Sequence, residues 1–262
     1  MLRIAILNLM PLKEATESDF LRLFADTGVA VEVHWLRLHS HVPKHASQEH
    51  MDSMYEYWDA LPQVPDGLVV TGAPVEQLEF GEVTYWPELC RIMEWTRREV
   101  KSVIYVCWAA QAALWHHYGI RKYGLKSKMF GIFPQEVLVG SSLFDGLAPA
   151  FMMPHSRHTE IRRGDIAACA DLTIAADSDV TGPSVITALD GREIYITGHI
   201  EYATHTLDTE YRRDQLRGRT DVGLPIGYYP ADDPSQPPVD TWHALAVMFY
   251  RNWLDNLKNA KS

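Results

Sequence analysis

Hydrophobic residues gather into short continuous runs that alternate with stretches of helical spacing, and this order predicts strands alternating with helices. Leu2 to Leu9 contains the run Ile4-Ala5-Ile6-Leu7 and reads as a strand ending in Asn8-Leu9-Met10-Pro11. Thr16 to Phe24 then spaces its apolar residues helically, with acids in the first turn where the helix dipole favours them. Val31 to Leu36 reads as a second strand, and Gly67 to Thr71 as a third that ends in the turn Gly72-Ala73-Pro74. Between them, His39 to Gln63 is polar and rich in histidine, with a short helix expected around Met51 to Trp58. A proline suited to the first helical position opens Pro87 to Val100, in which Leu89, Ile92, Met93 and Trp95 recur at roughly helical spacing.

Val103-Ile104-Tyr105-Val106 is a run typical of a strand buried on both faces; Cys107 follows it at once, and the alanine-rich stretch Ala109 to Tyr118 predicts a helix. Past Gly131 the chain becomes strand-rich, with strands expected at Ile132 to Val139, Leu172 to Ala176, Ser184 to Ala188 and Glu193 to Thr197. Helices are expected at Thr206 to Leu216 and from Thr241 to about Asn259, and Asp221 to Val239, with five prolines, reads as an ordered surface loop. The alternation predicts an α/β fold, a doubly wound and mostly parallel sheet with flanking helices. No repeat or linker interrupts it, so residues 1–262 read as a single domain.

Composition narrows the partners. With 262 residues and 47% hydrophobic content the chain can bury a sizeable core. Lys and Arg number 24 against 34 Asp and Glu, a net charge of −10, so nucleic acid and anionic membrane are not expected partners. An anionic cofactor such as a coenzyme A thioester is still allowed, because a few local Lys and Arg residues can reverse the field around a pocket. The longest apolar runs fall far short of a membrane span, and the chain enters a strand directly, which predicts a cytoplasmic location. Cys90, Cys107 and Cys169 form no close pair and are expected to be free thiols.

Chemistry concentrates at two strand ends. In an open parallel sheet ligands collect at the carboxyl ends of strands, and Cys107 stands where the most buried strand gives way to a helix. A tight turn there exposes the side chain, while the helix N-terminus favours a thiolate and offers backbone N–H groups to an oxyanion. A second strand ends in Gly198-His199-Ile200-Glu201, whose carboxylate can orient an imidazole that deprotonates a nucleophile. Together they outline a triad in the order Cys107, His199, Glu201. The two histidines of His155-Ser156-Arg157-His158 stand three apart, but no carboxylate and histidine set at diagnostic spacing completes a metal site, and none is expected.

With an elbow cysteine and a His-x-Glu pair in this order, the chain resembles the class I glutamine amidotransferase superfamily. It departs from that superfamily's usual G-x-C-x-G, reading Tyr105-Val106-Cys107-Trp108-Ala109. Across almost the whole chain it is more closely similar to the homoserine O-acyltransferases. The blocks that carry this likeness are Leu7 to Pro11, Thr71 to Glu76, Tyr85-Trp86, Cys107 to Ala112, Pro154 to Glu160 and Gly198 to Tyr202. Near the end, where W-R-S-H-G-N is familiar in that family, the chain reads Trp242-His243-Ala244-Leu245-Ala246-Val247.

The resemblance implies an acyl-CoA-dependent O-acyltransferase that works through a thioester, with Cys107 as acyl acceptor, His199 as general base and Glu201 as its partner. It places Lys13 near the oxyanion and assigns Lys128, Ser156 and Arg213 to the amino-acid substrate, for which a guanidinium fork on a carboxylate has the right geometry. By the same matching Glu76 selects acetyl donors over succinyl donors, since a carboxylate in the acyl pocket would face the free carboxylate of a succinyl group. Acetyl-CoA as co-substrate, homoserine as acceptor, no bound cofactor and a homodimer are therefore expected. Succinyl-CoA and serine remain the alternatives within this chemistry, and a glutaminase-like amidohydrolase is the alternative of another class.

Overall fold

Continuous burial in the central strands dictates the architecture. The computed structural model describes residues 1–43 and 45–260. Its first half runs β1 (Leu2–Leu7), α1 (Lys13–Thr27), β2 (Val31–Arg37), α2 (Gln48–Met54), β3 (Tyr55–Tyr57), β4 (Gly67–Val70), α3 (Trp86–Glu99), β5 (Ser102–Val106) and α4 (Trp108–Tyr118). The second half runs β6 (Tyr123–Val137), β7 (Ala150–Glu160), α5 (Arg163–Ala167), β8 (Leu172–Asp177), β9 (Val185–Ala188), β10 (Glu193–Ile196), α6 (Thr206–Leu216) and α7 (His243–Asn259). Among the described residues the strands join one sheet in the order β3-β2-β1-β4-β5-β10-β9-β8-β6-β7. From β3 to β10 the pairing is parallel, and from β10 to β7 it is antiparallel.

Every residue of β4 and β5 is buried, as expected for parallel strands covered by helices on both faces. Alternation divides their side chains. Leu68, Val70 and Tyr105 pack with Leu89, Ile92 and Met93 of α3 and with Ala113 and Leu114 of α4. Val69, Ile104 and Val106 point the other way, toward Phe20 and Phe24 of α1 and Phe249, Tyr250 and Trp253 of α7. Each large apolar side chain fully buried in these layers contributes about 1.5–3 kcal/mol. No helix among the described residues is long and apolar enough to cross a membrane.

The doubly wound, mostly parallel sheet expected from the sequence is present, and its differences have local causes. The helix expected around Met51 to Trp58 lies earlier, because Ser47 caps it by accepting from the His50 N–H, and Tyr55–Tyr57 instead pair with Trp35–Arg37 as an edge strand. No strand was expected at 150–160, where an apolar stretch runs into Pro154 and then a polar one, yet it forms β7 along most of β6, with Pro154 opposite Ile132. The loop 221–239 is tied to β6 where the Ile132 N–H donates to the Ile226 carbonyl (2.8 Å) and the Ile226 N–H donates to Phe130 (3.0 Å).

That crossing requires a glycine. Gly131 has φ 142°, and a Cβ there would stand 2.3 Å from the Ile226 carbonyl oxygen. Gly131→Ala is expected to lower stability by about 1–3 kcal/mol through backbone strain and displacement of the loop. An unchanged urea midpoint would show that the 221–239 loop can move away without loss.

Candidate active site

The register of two neighbouring strands assembles the site. β5 and β10 are parallel with Val106 opposite Ile196, and the Cys107 N–H donates to the Ile196 carbonyl (2.7 Å), so both strands release their chains at the same edge. Cys107 turns sharply into α4 with φ 52° and ψ −113°, a left-handed conformation that costs a non-glycine residue about 1–3 kcal/mol. Its carbonyl accepts the Gln111 N–H (3.2 Å), which starts the helix and leaves the first-turn N–H groups without intrahelical partners. Gly72, just past β4, faces this point: a Cβ there would lie 3.4 Å from the Cys107 Cβ and 3.5 Å from His199 Cε1.

His199 is held by its N–H donating to the Pro154 carbonyl (2.8 Å) and by stacking on Tyr202, ring centroids 4.1 Å apart. Its Nδ1 lies 2.7 Å from Glu201 Oε1, and the Cys107 side chain is near enough for its charge to act on the imidazole. Burial works against charge on this imidazole, but the adjacent sulfur and then Glu201 outweigh it and hold His199 well above the ordinary histidine range. Only one oxygen of Glu201 is engaged; Oε2 is buried with no protein hydrogen-bond partner. Burial, and next the Glu201 charge, push nearby Asp19 up to about 7.

A buried cation completes this layer. Arg157 donates to the carbonyls of Thr159 and Thr181 (both 2.6 Å) and lies close enough to Cys107, Glu160 and Glu76 to feel their charges. Alternation along β7 explains its direction. His155, Arg157 and Thr159 are buried on one face, where the Thr159 hydroxyl donates to Gln111 Oε1 (2.7 Å) and so ties β7 to the first turn of α4. Ser156 and His158 face the other way, so the two histidines of this run do not converge on one point. Among the described residues the one cluster with metal-ligand spacing is elsewhere, at Glu94, His116 and His117.

Residues expected to bind an amino acid do meet, around two acids. Lys128 Nζ donates to Glu210 Oε2 (3.1 Å) and Asp214 Oδ2 (3.4 Å), and the Ser156 hydroxyl donates to Glu210 Oε2 (2.6 Å). Tyr202, which stacks on His199, donates to the other Glu210 oxygen (2.9 Å), so this cluster touches the imidazole's own support. Burial works to raise the Glu210 carboxyl, but Lys128, Ser156, His199 and Arg213 hold it below the usual range. Arg213 is half-buried on α6 and spends its Nε on Asp214 (2.9 Å), leaving the rest of the guanidinium fork out of that contact.

Lys13 is buried at the start of α1, its ammonium donating to the Asn8 carbonyl at the end of β1; burial pulls it down to about 8 against the charge of Glu17. The loop it stands on is joined to the Cys107 neighbourhood through the Leu9 N–H, which donates to the Thr71 hydroxyl (2.8 Å) one residue before Gly72. Glu76 lies farther along that second loop, with Oε1 2.7 Å from His158 Nδ1. Glu210, Arg157 and Tyr202 were given no site role from the sequence, and His158 was weighed only as a metal ligand. Glu210 carried a usable signal, standing three residues before Arg213 and so on the same face of the helix.

An elbow cysteine beside a buried His–Glu pair, on a sheet parallel through its centre, defines a protein of the class I glutamine amidotransferase fold. Solved structures agree on the fold: a glutamine amidotransferase from Thermotoga maritima (TM-score 0.65, 13% identity, 99% of each chain) and one from Methylobacillus flagellatus (TM-score 0.61, 14% identity, 100% of this chain and 96% of that one). The model of the family described as homoserine O-succinyltransferase matches residues 1–261, and the chain belongs to that family. Relatives named homoserine O-acetyltransferase from Brevibacillus brevis and Bacteroides fragilis are each 47% identical over 97% of this chain, covering 83% and 84% of theirs. One from Acetivibrio thermocellus is 46% identical over the same share.

All three thiols are free, and they differ in environment. Burial and then Glu94 push the Cys90 thiol up to about 11, so it stays protonated and slow at neutral pH. Although Cys107 is the less exposed, iodoacetamide is expected to modify it at least about tenfold faster, because an imidazolium stands beside its sulfur. Equal rates in peptide maps would deny His199 any part in activating Cys107.

Proposed function

We propose that this protein transfers an acetyl group from acetyl-CoA to the hydroxyl of homoserine through a thioester on Cys107. The observation that carries the reading is the Cys107, His199 and Glu201 set at adjacent strand ends, in a chain 47% identical to proteins named homoserine O-acetyltransferase. An acyl donor is needed because the elbow lacks the G-x-C-x-G surroundings of glutamine hydrolysis, and a thioester donor exchanges one carbon–sulfur bond for another without ATP or metal.

In the first half-reaction the Cys107 sulfur attacks the donor carbonyl. Backbone N–H groups at the start of α4, with Lys13 as a cation near the adjoining loop, stabilise the oxyanion. The bond to CoA then breaks, and the CoA sulfur leaves with the proton that His199 carries. In the second, the now neutral His199 takes the proton of the acceptor hydroxyl as its oxygen attacks the thioester carbon. The bond to Cys107 Sγ breaks and O-acetylhomoserine is released. Glu201 holds the tautomer that makes this possible and compensates the imidazolium in each half.

The acceptor is an amino acid, with one cation and one anion to be met. Arg213, Lys128 and Ser156 supply donors for its carboxylate, and Glu210, held ionised between them, supplies an acceptor for its ammonium. Glu76 lines the acyl side and disfavours a donor that carries its own terminal carboxylate.

Two experiments test this. A donor by acceptor matrix, acetyl-CoA and succinyl-CoA against homoserine and serine, should give fastest CoA release with acetyl-CoA and homoserine, and Cys107→Ser should form no acyl-enzyme and lose nearly all transfer. Ammonia release from glutamine without CoA would instead support a hydrolase. In Arg213→Ala the acceptor KM should rise at least about tenfold while acylation of Cys107 by acetyl-CoA continues at its normal rate. Equal damage to both half-reactions would remove Arg213 from the acceptor side.

A further inference from the structure

Glu76 does not stand alone in its pocket. Its Oε1 meets His158 Nδ1 at 2.7 Å, and both side chains are largely shielded, with 16% exposed in each. On the far side of the ring, Arg219 Nη2 lies 3.3 Å from His158 Nε2, and Asp221 Oδ2 lies 3.6 Å from the same nitrogen. Arg219 and Asp221 also pair with each other. Lys122 donates to the carbonyls of Glu76 and Leu78, fixing the backbone that carries the selector. Glu76, His158, Lys122 and Asp221 line a cavity of about 320 Å³ whose wall also includes Lys128, the partner of Glu210.

A guanidinium has only hydrogens to give, so an Nε2 that meets Arg219 must accept, and the ring proton then sits on Nδ1, aimed at Glu76. In that tautomer the imidazole is neutral and the Glu76 charge faces the cavity undiminished. Protonation of the ring changes both sides at once. Nε2 becomes a donor, suited to Asp221 rather than Arg219, and the Glu76 and His158 pair becomes neutral as a unit.

We propose that His158 is the positioning residue of the acyl-group selector: through Nδ1 it aims Glu76, and through its own protonation it sets how strongly the site rejects an acyl chain ending in a carboxylate. This rests on the acyltransferase reading above and adds a second residue to its selectivity. The charged groups facing the pair are Lys122 on the Glu76 side, Arg157 behind β7, and Arg219 and Asp221 on the loop, with Asp214 near Arg219. Between about pH 8 and about pH 5.5 a succinyl carboxylate stays ionised.

The test is single-turnover acylation of Cys107 by acetyl-CoA and by succinyl-CoA, followed by intact mass between about pH 8 and about pH 5.5. The ratio of the two rates cancels the pH dependence of Cys107 and His199, which both donors share. In the wild type this ratio should fall at least about tenfold on acidification. His158→Leu, which removes the donor to Glu76, should lower the ratio at neutral pH by a similar factor. His158→Asn places an amide N–H near the Nδ1 position but cannot take a proton, so it should keep the neutral-pH ratio and make it independent of pH. In a Glu76→Gly background neither His158 substitution should move the ratio.

A wild-type ratio that stays flat with pH, or an unchanged ratio in His158→Leu, overturns the proposal, as does the absence of succinyl acylation in every variant and at every pH. Should neither donor acylate Cys107 at all, the acyltransferase reading itself fails, which is a distinguishable result. A general loss of structure in a variant would slow both donors together, leaving the wild-type pH profile to decide.

Discussion

Everything at the site depends on one backbone register. With Val106 opposite Ile196, two parallel strands end level, and the hydrogen bond from Cys107 N–H to Ile196 O fixes the elbow cysteine to the strand that delivers His199. Sliding either strand by one residue would turn its side chains to the opposite face and carry His199 away from the thiol. The register is enforced by burial on both faces, since Ile104 and Val106 must meet the α1 and α7 layer while Tyr105 meets α3 and α4. The stability of the core and the placement of Cys107 beside His199 are therefore the same constraint seen at two places along one strand.

A second periodicity divides the labour within β7. Residues 155, 157 and 159 face the core side and residues 156 and 158 the opposite side, so five consecutive side chains serve two layers. Arg157 and Thr159 support the nucleophile helix from behind, through charge and through the Gln111 contact. Ser156 and His158 each hold a carboxylate, Glu210 and Glu76 respectively. A strand achieves this because its alternation is independent of polarity; the same five residues on a helix would be spread around the whole circumference.

That property also explains what the sequence could and could not disclose. The parallel half was legible because burial on both faces leaves continuous apolar runs, as in 103–106, and Cys107 stood out because it follows such a run at the carboxyl end of a strand and opens a helix. β7 escaped because Pro154 follows a short apolar stretch, Ala150 to Met153, and the remainder, His155 to Glu160, is polar on both faces, one side satisfied by carbonyls and Gln111 and the other by Glu210 and Glu76, which removes the apolar alternation by which a half-buried strand is recognised. Edge strand β3 escaped for a different reason: with three residues it is too short to show any period, and only pairing with β2 defines it. Cys107, His199 and Glu201 could be singled out from motif and position, whereas Glu210 and His158 acquire meaning only from what the fold brings close to them.

Charge pairing around the thiol has an energetic consequence that bears on every substitution there. Glu201, Glu210, Arg157 and Lys128 are all withdrawn from water, and an uncompensated charge in such surroundings costs several kcal/mol. Taking away one partner of a buried pair typically destabilises a fold by about 3–5 kcal/mol, a large part of the stability of an ordinary domain. Lost activity after replacing Glu210 or Lys128 would therefore not by itself locate substrate contact. Isosteric changes that keep the hydrogen bonds, read as separate effects on acylation and on acceptor use, isolate the chemistry. Arg213 and His158 are the more informative positions because each is only partly embedded in the network: Arg213 is half-buried and its partner Asp214 still pairs with Lys128 when Arg213 is removed, while His158 lines the cavity beside a partly exposed Glu76.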